Sequence, residues 1–377
     1  MQPKAVGSGV LASLTRHMML SLLRRQCGLR SLSSCVILPC ATGMALMLSL
    51  LSLPGGNIVW SRIDQKTCVK AMTATGARVH PVQLRRHGDQ LCTDVDGIAD
   101  LLDTLNDIKC VVTTTSCFAP RAADDVLAVG RMCHERGVAH VVNHAYGAMS
   151  PHTSALLEKA LRSTSSRVDL VVMSTDKNFC VPVGGSVVCS ALPGLVDNVA
   201  QTYAGRASAA PVLDLCISLL QVGTRAYADL FRQQTLAYEA LLHAVSAVAR
   251  EFNERVLASP RNFVSIAFTL GSTVDDSVGI TASFVGSALF RRGLSGARVV
   301  APSDSPKEIG PLQFRNWGSQ CDDLQEPYCC VAAGAGSTAD DADRVAHKLR
   351  RTLRELRRLR QKRRRTACSD LSEENQP

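Results

Sequence analysis

Aromatic side chains are scarce in this chain of 377 residues, at 4% of positions, while Ala, Val, Leu and Ser abound. A core short of large rings must be filled by aliphatic residues, which suits helices packed on a sheet. The 15 cysteines include no CxxC pair, so the spacing of a zinc site is missing. Cys35, Cys110, Cys189 and Cys216 lie inside apolar runs, as small buried hydrophobes of a reducing compartment do. No internal repeat is present. Acidic residues are absent before Asp64, while Lys4, Arg16, Arg24, Arg25 and Arg30 sit among serines and leucines. That composition has the look of a mitochondrial transit peptide, the alternative to a cytoplasmic location. The run CVILPCATGMALMLSLLSL approaches a short membrane span, but Pro39, Thr42 and Gly43 interrupt it. Read as a strand Cys35–Leu38, a turn and a helix from about Met44, it is an ordinary βα unit, and this second reading is the preferred one.

Charge is concentrated at one end. The formal net charge is +9, yet residues 344–365 hold twelve Lys/Arg against the single Glu355. The rest of the chain is slightly acidic, so the basic segment points to a polyanionic partner. Val345, Leu349, Thr352, Leu356 and Leu359 give that segment one mostly apolar face, so it can dock while other faces meet phosphates. On this reading Arg357, Arg358 and Arg360 contact the phosphates of that partner. A solvated charged helix or a nuclear signal are the bland alternatives. The residues after Arg365 read as an unstructured polar tail.

From Cys35 to Cys189 apolar strands alternate with helices. The strands are expected near 35–38, 57–60, 77–80, 110–113, 140–142, 170–173 and 186–189. A helix over 125–136 is closed by Gly137. This pattern predicts a mostly parallel sheet covered on both faces, with ligands at the carboxyl ends of its strands. Residues 211–256 read as helical. Shorter strands near 264–270, 297–300 and 328–332, around a helix at 280–292, predict a smaller C-terminal α/β domain.

Three groups past strand ends carry chemical promise. Lys177, in VVMSTDKNFCVPVGGSVVC, follows one buried strand and precedes another; apolar neighbours would lower its pKa and fit it for Schiff-base chemistry. A solvated lysine or a partner of Asp176 are the plain readings. Thr42 and Gly43 of PCATGMA offer a hydroxyl and unpaired N–H groups at a helix start, suited to a phosphate, or else an ordinary N-cap. Asn143 of HVVNHAYG follows an apolar strand, where pyridoxal-phosphate enzymes of the aminotransferase-like class commonly have an Asp facing the pyridine nitrogen. A turn asparagine is the alternative.

The strings LPCATGMAL, RIDQKTC, TTSCFAPR, VVNHAYG, STDKNFCVPVGG, GRASAAPVLD and SGARVV together resemble the O-phosphoseryl-tRNA(Sec) selenium transferases, from Gln2 to about Arg358. The resemblance implies a pyridoxal-phosphate-dependent, aminotransferase-like fold (fold type I, α/β). It also implies conversion of O-phosphoseryl-tRNA(Sec) and selenophosphate into selenocysteinyl-tRNA(Sec), in a homo-oligomer. Residues 1–205 would form the cofactor-binding catalytic domain, 206–260 connecting helices, 261–343 the small domain, 344–365 the tRNA-contacting helix and 366–377 the tail. Matched position by position, Lys177 would bond the cofactor's aldehyde, with Thr42, Gly43, Gln65 and Asn143 as further cofactor contacts. Gln2 and Arg206 would bind the substrate phosphoryl group, and Arg162, Arg292 and Arg358 the tRNA. The family's chains extend well ahead of Gln2, so the reading frame is expected to continue upstream. Two rivals stand beside this reading: a lyase or desulfurase of free amino acids, for which Cys321 is the candidate exposed cysteine, and a non-catalytic tRNA-binding protein.

Overall fold

The computed structural model describes residues 6–373, with side chains through Thr366. Nine strands belong to the larger part: β1 (Ser34–Leu38), β2 (Asn57–Ser61), β3 (Arg78–Val82), β4 (Arg85–His87), β5 (Gln90–Cys92), β6 (Ile108–Thr114), β7 (Ala139–Asn143), β8 (Leu170–Ser174) and β9 (Ser186–Ser190). Its helices are α1 (Val6–Arg25), α2 (Thr42–Leu51), α3 (Lys66–Thr73), α4 (Val95–Thr104), α5 (Val126–Glu135), α6 (Pro151–Arg162), α7 (Thr175–Asn178) and α8 (Leu195–Thr202). The kinked α9 (Ala210–Glu251) leads to the smaller part, built from β10 (Ser265–Thr269), α10 (Ala282–Arg291), β11 (Arg298–Val300), β12 (Lys307–Ile309), β13 (Leu312–Phe314), β14 (Tyr328–Ala332) and α11 (Ala339–Glu373).

Seven strands form one sheet in the order β1-β9-β8-β7-β6-β2-β3. Pairing is parallel from β3 through β8 and antiparallel at β8–β9 and β9–β1. Strands β7, β8 and β9 are buried at every position, which explains their continuous apolar runs. Helix α5 shows how the sequence sets an element's limits. Asp125 accepts a hydrogen bond from the Ala128 N–H at 3.1 Å, and Gly137 takes φ 67° past the end. Val126, Val129 and Cys133 form its inward face. All seven large-sheet strands and the three small-sheet strands β10, β11 and β14 fall where the apolar pattern puts them.

The chain's two ends and its turns add to this picture, and the C-terminal end corrects it. The acid-free N-terminal stretch is a core helix: Met19, Leu22 and Leu23 of α1 are buried in one cluster with Leu215 and Phe231 of α9. The run from Cys35 is strand plus helix, and among the described residues no helix is long and apolar enough to cross a membrane. The chain after Arg365 continues as helix α11 through Glu373, where an unstructured tail was expected. The hairpins β4–β5 and β12–β13 are additions. The apolar face of α11 docks as its pattern implies, Leu349, Leu353 and Leu356 packing with Val245 and Val248 of α9 and Phe268 of β10.

Candidate functional site

The carboxyl ends of β1, β2, β6, β7 and β8 share one edge of the sheet, and Thr42, Gln65, Asn143 and Lys177 follow or end those strands. Lys177 lies in the single turn α7 that follows β8. Its Nζ donates to Ser174 Oγ at 3.1 Å, stands 3.5 Å from Asp176 Oδ2 and 5.3 Å from the centre of the Tyr146 ring. The lysine side chain is 32% exposed. The expected apolar cage is thus replaced by a hydroxyl, a carboxylate and one aromatic face. These steer the amine while leaving it reachable from solvent.

Thr42 and Gly43 open α2, whose N-cap Ala41 supplies no side-chain acceptor. Thr42 Oγ1 is buried without a partner, and so is Thr175 Oγ1, two residues before Lys177. Buried hydroxyls normally find partners, so each of these two has an unmet hydrogen bond to offer. The same corner is closed by Ser186, whose Oγ donates to Cys40 O at 2.7 Å. A Cβ at Gly43 would come 3.2 Å from Thr67 Cβ of α3, a tight approach that glycine avoids. Gly185 is required, because its Cβ would lie 2.7 Å from Thr175 Oγ1.

Asn143 ends β7, buried; its amide reaches Cys68 Sγ of α3 at 3.5 Å and its Oδ1 accepts the Ala145 N–H at 3.2 Å. Gln65 precedes α3, half-buried, as its N-cap residue. Beside Asn143, His144 donates or accepts through Nδ1 with Thr115 Oγ1 at 2.7 Å, while its Nε2 has no partner. Burial holds its pKa down at about 3, so the ring is neutral. Sequence reading passed over Tyr146 as a site residue, although it stands inside the HVVNHAYG string.

Other expected residues lie apart. Gln2 falls outside the described residues. Arg206 is exposed in the loop between α8 and α9 and contacts no part of the Lys177 corner, although Pro211, where α9 begins, packs against Gly185. Arg162 ends α6 and lines an open cavity of about 540 Å³ with Arg30, Glu158 and Lys159; none of its lining residues belongs to the Lys177 corner. Arg292 ends α10, donating to Ala288 O at 3.1 Å and pairing with Glu355 of α11. Arg358 is exposed and makes no hydrogen bond or ion pair with any described residue. Arg357 and Arg360 are committed inward: Arg357 bonds Phe252 O and covers its ring, and Arg360 pairs with Asp275 at 2.9 Å. Of Arg357, Arg358 and Arg360, grouped by the sequence reading, Arg358 alone keeps its donors free of described residues. Cys321 is only 4% exposed and bonded to Arg86, and burial raises its thiol pKa, so it is no exposed desulfurase cysteine.

Residues 1–354 match the family O-phosphoseryl-tRNA(Sec) selenium transferase, SepSecS. The chain belongs to this family. An O-phosphoseryl-tRNA(Sec) selenium transferase of Dictyostelium discoideum is 34% identical over 371 residues, spanning 92% of this chain and 77% of the relative. The crystal structure of an archaeal O-phosphoseryl-tRNA(Sec) selenium transferase aligns with TM-score 0.82 at 24% identity, covering 93% of this chain and 76% of the other. Oryza sativa TDC, solved with PLP and tryptamine, shares the fold at TM-score 0.67 and 14% identity, covering 93% and 76%. The fold is the α/β architecture of pyridoxal-phosphate enzymes of type I. The residues present fit that cofactor: two orphaned hydroxyls and free N–H groups at the start of α2 suit its phosphate, a buried amide at the end of β7 suits its ring, and a primary amine stands past β8.

Proposed function

We propose that this chain converts O-phosphoseryl-tRNA(Sec) into selenocysteinyl-tRNA(Sec), with selenophosphate as selenium donor and pyridoxal phosphate as cofactor. The observation that carries the reading is Lys177, a reachable amine past a fully buried strand and beside the orphaned hydroxyls, in a chain of this family. When bound, pyridoxal phosphate supplies an electron sink that acidifies the α-proton of the seryl residue, so that phosphate can leave its β-carbon. Lys177 would hold the cofactor through Nζ, and the same amine is placed to take the α-proton of the seryl residue. Ser174 and Asp176 restrict the arc through which that nitrogen swings. Thr42 and Gly43 hold the cofactor phosphate, where the helix start favours an anion.

Asn143 is neutral, so it would orient the cofactor ring without imposing a proton on its nitrogen, a setting that suits elimination better than transamination. Arg206, exposed and with its donors free, is available to grip the departing phosphoryl group bidentately, with Gln2 as a second contact. Arg162, Arg292 and Arg358 support a tRNA footprint spread over α6, α10 and α11. Exposed Val6, Val10 and Leu14 on α1 and Leu213, Ile217 and Leu220 on α9 favour a homo-oligomer.

Replacing Lys177 by Ala tests the reading. The visible absorption of the covalently held cofactor should vanish and selenium transfer should fall by about a thousandfold, with tRNA binding retained. Undiminished transfer would overturn it. Turnover of free phosphoserine, without charged tRNA, would favour the rival lyase.

A further inference from the structure

The loop after β6 carries Phe118 between two cations. Its ring stands edge-on to Tyr146 with centroids 5.9 Å apart, and Tyr146 faces Lys177 Nζ at 5.3 Å. On the opposite side Arg298, the first residue of β11, places its Cζ 5.7 Å from the Phe118 centroid. A residue of the small domain is thereby joined to the Lys177 corner through two rings.

Arg298 is half-buried, and its guanidinium makes no hydrogen bond or ion pair with any described residue. Its charge still reaches the corner. Burial pushes the Tyr146 hydroxyl up to about 12 and the Cys117 thiol up to about 11, and Arg298 opposes both shifts. Five N–H donors without an acceptor, in partly desolvated surroundings, form an unfavourable arrangement unless an anion fills it. The Phe118 face fixes the guanidinium plane in advance, which lowers the ordering cost of binding.

We propose that Arg298 is a binding subsite for a tetrahedral phosphorus oxyanion arriving beside Lys177. The inference rests on the proposed function, which supplies two such groups besides the phosphoryl group given to Arg206: free selenophosphate and the terminal phosphodiester of the tRNA acceptor end. The planar fork matches two oxygens of either group. Arg298 stands two rings away from the Lys177 amine, so it acts as a specificity residue that holds a reactant.

The test uses the cofactor-loaded full chain as wild type, Arg298→Met and Arg298→Lys, at fixed ionic strength. Each is titrated with inorganic thiophosphate, a sulfur analogue of selenophosphate, and separately with an RNA hairpin ending in CCA. Arg298→Met should weaken one of the two by about tenfold or more, and Arg298→Lys, keeping the charge without the fork, by less. Loss confined to thiophosphate assigns the subsite to the selenium donor. Loss confined to the hairpin assigns it to the acceptor end, and loss of both to a shared site. Unchanged affinity for both ligands overturns the proposal; if Arg298→Met fails to fold, unchanged affinities in Arg298→Lys do so. Selenium transfer by the wild type is measured in parallel. A chain that transfers selenium but shows no effect at Arg298 loses this inference alone, whereas a chain without transfer loses the functional reading.

Discussion

Two arginines flank the loop after β6, and their surroundings are opposite. Arg121 is fully buried with every donor group engaged: Nε with Arg62 O at 3.0 Å, Nη1 with Thr114 O and Ala122 O, Nη2 with Ser61 Oγ and with Asp124 at 2.8 Å. Arg298, on the far side, meets an aromatic face and, among the described residues, no hydrogen-bond or ion-pair partner. Arg62 repeats the first pattern, tying Asp64, Gln83, Asp322 and Arg315 O together across the two parts of the chain. Residue type is the same throughout; the supply of acceptors differs. A guanidinium whose donors are all matched is a pin, and one left unmatched beside a reactive amine is reserved for something that arrives.

The sharpest way to break this contrast is Arg121→Met. Asp124 would remain buried, still receiving bonds from Ser61, Thr93 and the Thr114 N–H, but without its countercharge. Removing one partner of a buried pair costs about 3–5 kcal/mol, so the urea midpoint should drop steeply. Arg298→Met should cost less than about 1 kcal/mol, since no paired charge is orphaned. Equal losses in the two variants would abolish the distinction between pin and ligand site.

Helix α11 repeats the contrast along one element. Arg350 and Arg354 pair with Glu251, Arg360 and Arg364 with Asp275, and Arg363 donates to Val278 O. Arg358, Lys362 and Arg365 are exposed and, among the described residues, their side chains have no partner. They recur at i, i+4 and i+7, which is one face of a helix. Neutralising these three with Gln should weaken tRNA binding by about tenfold at low salt and flatten its salt dependence by roughly two to three units of slope. Neutralising Arg357 and Arg360 should instead loosen the helix and leave the slope alone. A salt slope that responds equally to both sets would show that the division is false.

What could be read in advance follows from where the information lies. Strands β6 to β9 are buried on both faces and therefore spell themselves out as apolar runs. The placement of Lys177, Thr42 and Asn143 on one sheet edge was legible because each lies at or just past the end of such a run. Arg298 was not: its role depends on β11 docking against Phe118, a contact between distant parts of the chain that no local pattern encodes. Hairpins β4–β5 and β12–β13 escaped because strands of three residues such as Arg-Arg-His and Lys-Glu-Ile carry no alternation. Helix α1 was not read as a core element because composition outweighed periodicity. The spacing of Thr15, Met19, Leu22 and Leu23 was the better signal, and those four are the buried ones.

The smallest expected effect concerns the carboxylate that fastens the outer half of α11. The Ser277 hydroxyl and then the Arg360 and Arg364 guanidinia hold Asp275 well below the ordinary carboxylate range. A group with a depressed folded pKa stabilises above its unfolded value, near 3.9, and loses that contribution as pH falls toward the folded value. Asp275→Asn should therefore cost about 1 kcal/mol at pH 7, because the pair is partly solvated through Arg364. The gap between variant and wild type should close as pH is lowered beneath 4, followed by amide hydrogen exchange along α11. The free stripe of Arg358, Lys362 and Arg365 contains no acid and should show no such dependence in its own variants. A gap at Asp275 that persists unchanged at low pH would mean that the carboxylate is not what fastens the helix, and the inward arginines would then rank with the outward ones.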